Sequence, residues 1–202
     1  MGKINIAVYI GAFDPIHAGH IEFAKTAVEL VGLDKVYFLV EPRPRTEQGV
    51  KAFDHRINMA SIAIEKEDRL GVIVIRQGSF DFEDVLPALS TRFGPDCLNV
   101  LLSEDSIAEV VKWPWLKFSD QSFSLVVGLR KQTAKSVQEQ VQLLKDLTGI
   151  KIKVKTFKTS VDLPRNFLVK QQLKSGSRPS ILPRPVYNYI TEKRLYVSDA
   201  KA

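Results

Sequence analysis

Hydrophobic positions along the chain follow two alternating patterns. Ile4–Ile10 (INIAVYI), Val36–Val40, Gly71–Ile75, Leu98–Leu102 and Phe123–Val127 are short, almost unbroken apolar runs. That is the signature of strands buried on both faces. Between them the apolar residues recur at helical spacing. His17–Val31 predicts a helix whose inner side carries Ile21, Phe23, Ala24, Ala27, Val28 and Val31. Phe53–Glu65 predicts a second, with Ile57, Ala60 and Ile64, and Phe82–Phe93 a third. A short helix is expected around Ser106–Val111, and Ser136–Thr148 carries a stripe of Val137, Val141, Leu144 and Leu147. Lys151–Phe157 (KIKVKTF) alternates strictly, which predicts an edge strand with one wet face. Two short helices near Asn166–Ser175 and Pro185–Glu192 complete the chain, and Glu41–Ala52, with two prolines and a glycine, reads as a loop.

Strands alternating with helices imply an α/β fold, a doubly wound parallel sheet covered on both faces. The expected layout is a single domain over 1–202, with an α/β core at 1–157 and a C-terminal helical segment at 158–202. Ligands of such sheets bind beyond the carboxyl ends of the strands, where the strand order reverses. The first such end follows Ile10.

Composition narrows the class. With 202 residues, 45% hydrophobic and 26% charged, the chain falls within the globular range, which excludes disordered and collagen-like classes. Cys97 is the only cysteine, so neither an intrachain disulfide nor a CxxC metal knuckle can form. No apolar run approaches the roughly 20 residues that span a bilayer. Met1–Ile10 lacks a leader pattern, and Ile6 stands where a myristoylation site needs Ser or Thr. A cytoplasmic protein without membrane attachment is the expectation. Charge is uneven: the net is −5 before Arg130 and +11 from Arg130 onward, within a total of +6. The basic third suits an anionic ligand or a lysine-rich solvated surface.

The first strand end reads Gly11-Ala12-Phe13-Asp14-Pro15-Ile16-His17-Ala18-Gly19-His20. Gly11 permits a tight turn and a close approach to a ligand. Asp14 followed by Pro15 fits an N-cap and first helical position, so the helix is expected to start there. Main-chain N–H groups at such a start favour anions. His17 and His20 are three apart and share a helix face, and Gly19 removes bulk beside them. The third histidine, His55, is distant in sequence, so a closed zinc site would need carboxylates. Two imidazoles at a helix start suit phosphate oxygens better.

GAFDPIHAGH resembles the G-x-F-D-P-x-H-x-G-H signature of the HIGH-type nucleotidyltransferases. Within that superfamily the chain is most similar to the nicotinate/nicotinamide mononucleotide adenylyltransferases. Weaker matches follow in the same order: Arg56-Ile57-Asn58-Met59 to R-x-x-M, and Ser103–Ile107 with Trp113 to G-x-D-S-L…W. Pro183, Val186, Tyr189-Ile190 and Leu195-Tyr196 resemble the usual ending. The resemblance implies a Rossmann-like fold and a reaction in which a mononucleotide 5′-phosphate attacks the α-phosphorus of ATP and pyrophosphate leaves. It implies ATP contacts from Gly11, Ala12, Phe13, His17, Gly19, His20 and Asp105, with His17 and His20 catalytic. Mg²⁺ is the implied cofactor, held mainly by ATP phosphates and water.

The chain departs from the family in two places. The I-S-S-T-x-I-R signature corresponds to Pro164–Lys170, where the hydroxyls are gone and Lys170 replaces the arginine that holds the β/γ-phosphates. Lys170 is therefore the third expected catalytic residue, with Arg165 and Asn166 as substitute donors. At the acceptor side S-Y-T becomes Ser79-Phe80-Asp81, and P-P-H-K becomes Pro42-Arg43-Pro44-Arg45. Arg45, Lys51, Phe80, Asp81 and Trp113 are the acceptor candidates. Asp81 would repel a nicotinate carboxylate and tolerate an amide. Three readings follow: a pyridine-mononucleotide adenylyltransferase, a relative using another phosphorylated acceptor, or a nucleotide- or nucleic-acid-binding protein without turnover. The intact histidine pair favours the enzymes over nucleic-acid binding. A homo-oligomer is compatible with the sequence, which does not encode the oligomeric state legibly.

Overall fold

The computed structural model describes residues 4–44, 49–75, 88–89, 91–94, 98–107, 123–148 and 152–197. Six strands form one parallel sheet: β1 (Ile6–Gly11), β2 (Lys35–Val40), β3 (Leu70–Ile73), β4 (Leu98–Ser103), β5 (Phe123–Leu129) and β6 (Ile152–Lys158). Their order is β3-β2-β1-β4-β5-β6, so the direction of winding reverses between β1 and β4. The expected doubly wound sheet is thus observed. β6 lies at an edge, as its alternation predicts, with Lys153 and Lys155 exposed.

Alternation along each strand feeds two cores. From β1, Ala7 and Tyr9 face a cluster with Phe23 and Ala24 of helix α1 (Ala18–Val31) and Met59 and Ala60 of α2 (Phe53–Ala63). Ile6 and Val8 face the opposite layer, with Val137, Val141 and Leu144 of α3 (Ala134–Thr148). The α3 stripe is therefore confirmed at three positions, and the side chain of Leu147 lies outside the described set. Gly128 is needed where α1 crosses β5: a Cβ there would lie 2.3 Å from the Phe23 ring.

The C-terminal segment is built into the first core. Val169 and Leu173 of α4 (Asn166–Lys174), Leu182, and Val186 and Ile190 of α5 (Arg184–Glu192) share the cluster with Tyr9 and Phe13. This layout brings α4 and the chain end up to the end of β1. Of the helix expected over Phe82–Phe93, residues 88–89 and 91–93 are helical and the rest lies outside the described residues. The short helix expected at Ser106–Val111 starts earlier, as a 3₁₀ turn over Glu104–Ser106. Among the described residues no helix is long and apolar enough to cross a membrane.

Candidate active site

The segment after β1 differs from the expected Asp-Pro cap. Helix α1 begins at Ala18, and His17 is its N-cap. Asp14 is fully buried and faces other elements instead. Its Oδ2 pairs with Lys170 Nζ at 2.6 Å, and its Oδ1 accepts from the Lys51 main-chain N–H at 3.2 Å and from the Tyr196 hydroxyl. Local propensity favoured a cap, but three donors from distant elements hold Asp14 in the interior. The expected row of free helix N–H groups is also partly used, because Ala18 N–H donates to Ile181 O at 2.9 Å.

His17 and His20 form a reciprocal cap. The His17 N–H donates to His20 Nδ1 at 3.2 Å, and the His20 N–H donates to His17 Nδ1 at 3.4 Å. The rings stack with centroids 3.7 Å apart. Both Nδ1 atoms are acceptors, so each neutral ring carries its proton on Nε2. Burial pushes His17 down to about 4, against the opposing pull of the Pro164 backbone and the Asp162 carboxylate. Burial, then the neighbouring His17, pushes His20 well below its ordinary range. Both rings are therefore neutral Nε2–H donors at neutral pH. Among the described residues, His17 Nε2 is buried and meets no acceptor in good hydrogen-bond geometry, the Pro164 backbone acting on it as a neighbouring dipole, so its N–H can turn to a ligand oxygen.

Two local devices hold this pair. A Cβ on Gly19 would lie 2.2 Å from the Asp162 carbonyl oxygen, so glycine is required for the chain beyond β6 to pass. Phe13 adopts a left-handed backbone, φ 47°, uncommon for a bulky residue. Its ring is buried edge-on against Tyr9, His20 and Phe38 at 5.2–5.4 Å. The anchored ring fixes the turn after β1.

Arg56, noted in the sequence only as part of a weak motif, is fully buried. It donates to the carbonyls of Lys51 (2.9 Å), Ala12 (2.8 Å), Glu41 (2.7 Å) and Pro42 (2.9 Å). One guanidinium thus ties the loop after β1 to the loop after β2. Its fork of five fixed donors suits several carbonyls at once. Periodicity could not reveal it, because a charged residue on a helix reads as solvated.

Among the expected ATP contacts, Gly11, Ala12, Phe13, His17, Gly19, His20 and Lys170 converge on the end of β1. Asp105 does not join them through any described contact: it is exposed and pairs with Arg130. Arg165 is the exposed N-cap of α4, and its side chain makes no cap hydrogen bond. Lys51 is brought to the site, its ammonium 5.4 Å from the centre of the Tyr196 ring. Arg45, Phe80, Asp81 and Trp113 lie outside the described residues. His55 is engaged elsewhere, its Nδ1 2.9 Å from the Tyr189 hydroxyl.

A parallel sheet with a donor-lined switch point after β1 is the setting of a nucleotide site. Residues 8–162 match the cytidylyltransferase-like family model. The chain belongs to the cytidylyltransferase-like family. Among curated relatives, it is 26% identical to the "Probable nicotinate-nucleotide adenylyltransferase" of Solibacter usitatus, covering 96% of this chain and all of the relative. It is 25% identical to the nicotinate-nucleotide adenylyltransferase of Bacillus subtilis, covering 96% and 99%. A similar fold occurs in the Plasmodium falciparum nicotinic acid mononucleotide adenylyltransferase complexed with NaAD. There the TM-score is 0.71 at 17% identity, over 95% of this chain and 97% of that one. The family match contains His17 and His20 and stops at Asp162, so Lys170 and Tyr196 come from the segment beyond it.

Proposed function

We propose that this protein is a nucleotidyltransferase that moves AMP from ATP to a pyridine mononucleotide, a step of NAD biosynthesis. The observation that carries the reading is the His17–His20 pair: two neutral rings, each anchored through Nδ1, with Nε2–H groups at the switch point. The names of the full-length relatives support the same activity. A 5′-phosphate oxygen of the acceptor forms a bond to the α-phosphorus of ATP, and the bond to the bridging α,β-oxygen breaks, releasing pyrophosphate. No covalent enzyme intermediate is required. His17 and His20 donate hydrogen bonds to phosphoryl oxygens as negative charge builds on them. Their depressed basicity suits them to this role and not to proton transfer. Lys170, held by Asp14, supplies positive charge to the leaving phosphates.

Magnesium accompanies the triphosphate in this proposal. The described residues at the β1 end do not form a protein-held site for it. Both Nδ1 atoms accept main-chain amides, Asp14 is taken by Lys170, Lys51 and Tyr196, and among the described residues no three His, Cys, Asp or Glu side chains cluster.

Pyrophosphate release from ATP, measured with nicotinate mononucleotide, nicotinamide mononucleotide and 4′-phosphopantetheine, tests the reading. Turnover with a pyridine mononucleotide is expected. Turnover with phosphopantetheine alone, or with no acceptor, overturns it. The relatives' names favour the nicotinate form, whereas the charge of Asp81 favours the nicotinamide form. Asp81→Asn separates the two arguments: where charge governs, it raises relative kcat/KM for nicotinate by roughly tenfold after screening.

A further inference from the structure

The sequence resemblance at Leu195-Tyr196 is not absorbed by the reaction described above, and the structure gives Tyr196 an unusual placement. After α5 the chain turns through two non-glycine residues in the left-handed region, Arg194 at φ 50° and Tyr196 at φ 59°. Such backbone is disfavoured for bulky side chains and persists where surrounding structure holds it. The turn drives Tyr196 into the core, where it is 3% exposed. Its hydroxyl donates to Asp14 Oδ1, a residue 182 positions earlier.

Asp14 divides its two oxygens. Oδ1 takes the Tyr196 hydroxyl and the Lys51 N–H at 3.2 Å, while Oδ2 takes Lys170 Nζ at 2.6 Å. The tyrosine thereby fixes the rotation of the carboxylate and directs Oδ2 at the ammonium. The Lys170 ammonium is a point charge on a flexible stem, so it can stay paired with Asp14 while its charge acts on phosphate oxygens. The Lys51 ammonium over the Tyr196 ring adds a second restraint on the same aromatic.

We propose that Tyr196 is a positioning residue that sets Lys170 for the triphosphate through the Asp14 carboxylate. The proposal rests on the phosphate role given to Lys170 above. It assigns a function to the chain terminus that the resemblance left as a mere match.

The test is a double-mutant cycle on MgATP affinity, read by calorimetry without acceptor, using Tyr196→Phe and Lys170→Gln. Glutamine keeps a donor for Asp14 and removes the charge. Tyr196→Phe is expected to weaken MgATP binding about tenfold, the worth of one hydrogen bond to a charged group. In the Lys170→Gln background the same change is expected to alter binding less than twofold. The KM for the acceptor is expected to hold in Tyr196→Phe while the KM for ATP rises. Asp14→Asn, which keeps the shape of the side chain, provides a second route and is expected to be equally non-additive with Lys170→Gln. Tyr196→Phe binding MgATP like the native protein overturns the proposal. Equal weakening in both backgrounds also overturns it, since the tyrosine would then act on the fold and not on Lys170. If Lys170→Gln itself binds MgATP normally, the phosphate role of Lys170 fails and this inference fails with it.

Discussion

Two buried carboxylates stand at the carboxyl ends of the sheet, Asp14 after β1 and Glu104 after β4, and they are satisfied in opposite ways. Glu104 accepts from three consecutive main-chain N–H groups, those of Arg130, Lys131 and Gln132, at 2.8–3.0 Å. Burial alone would raise its pKa, but these amides, with Arg130, outweigh burial and hold the carboxyl below its ordinary range. Asp14 accepts one main-chain N–H and the Tyr196 hydroxyl, and pairs with the Lys170 ammonium. Main-chain donors belong to one loop and cannot leave without moving it, so Glu104 ties the loop after β5 to the end of β4. A lysine head rides on a flexible stem and can shift towards a ligand without moving the main chain. The first arrangement builds a frame; the second builds a site.

That contrast predicts separate losses. The largest effect is expected at the β1 end: His17→Asn, which retains a capping side chain, and His20→Ala should each lower kcat about 10²–10³-fold in steady-state assays, with the circular dichroism unchanged. Native-like turnover in either would remove the site from the β1 end. Glu104→Ala should instead act on stability. It strands three N–H groups and Arg130, and a loss of roughly 3–5 kcal/mol is expected in urea unfolding. A loss under about 1 kcal/mol would show that the loop does not depend on the carboxylate.

The two regions should also fail in different pH windows. His17 has a folded value of about 4 against an ordinary 6.5, so as pH falls the unfolded chain takes up the proton first. Unfolding free energy should therefore fall between pH 6.5 and 4, by about 3 kcal/mol from this group. His17→Asn should remove that part of the slope and leave the part due to His20. Glu104 is shifted in the same direction but from a lower starting value: its contribution is present above the ordinary value of 4.5 and is lost only as pH falls below that. A slope above pH 5 that survives both histidine substitutions would contradict the assignment. The smallest effect is expected for Gly19→Ala, about 1–3 kcal/mol in urea unfolding, because the added carbon meets the Asp162 carbonyl at 2.2 Å. A neutral substitution would show that the backbone beyond β6 yields easily there.

How much of this was legible beforehand varied with the range of the interaction. All six strands and the helices α1–α5 are visible in the apolar pattern to within about two residues, because periodicity records which face of an element is buried. The histidine pair was legible for a related reason, since residues three apart on a helix meet whatever surrounds them. The helix start was misread: Asp14-Pro15 has the local chemistry of a cap, but Lys170, Tyr196 and the Lys51 amide hold Asp14 inside. Asp105 was drawn towards the nucleotide by its motif, and the structure pairs it with Arg130. Arg56 and Glu104 carried no signal of burial, because what compensates their charge comes from loops about 5–44 and 26–28 positions away. The sequence by itself determined the sheet, its helices and the chemistry of the first strand end, all properties of neighbours along the chain. Only the tertiary structure decided which charged groups are buried, because a charge can enter the interior only where folding assembles its partners from elsewhere in the chain.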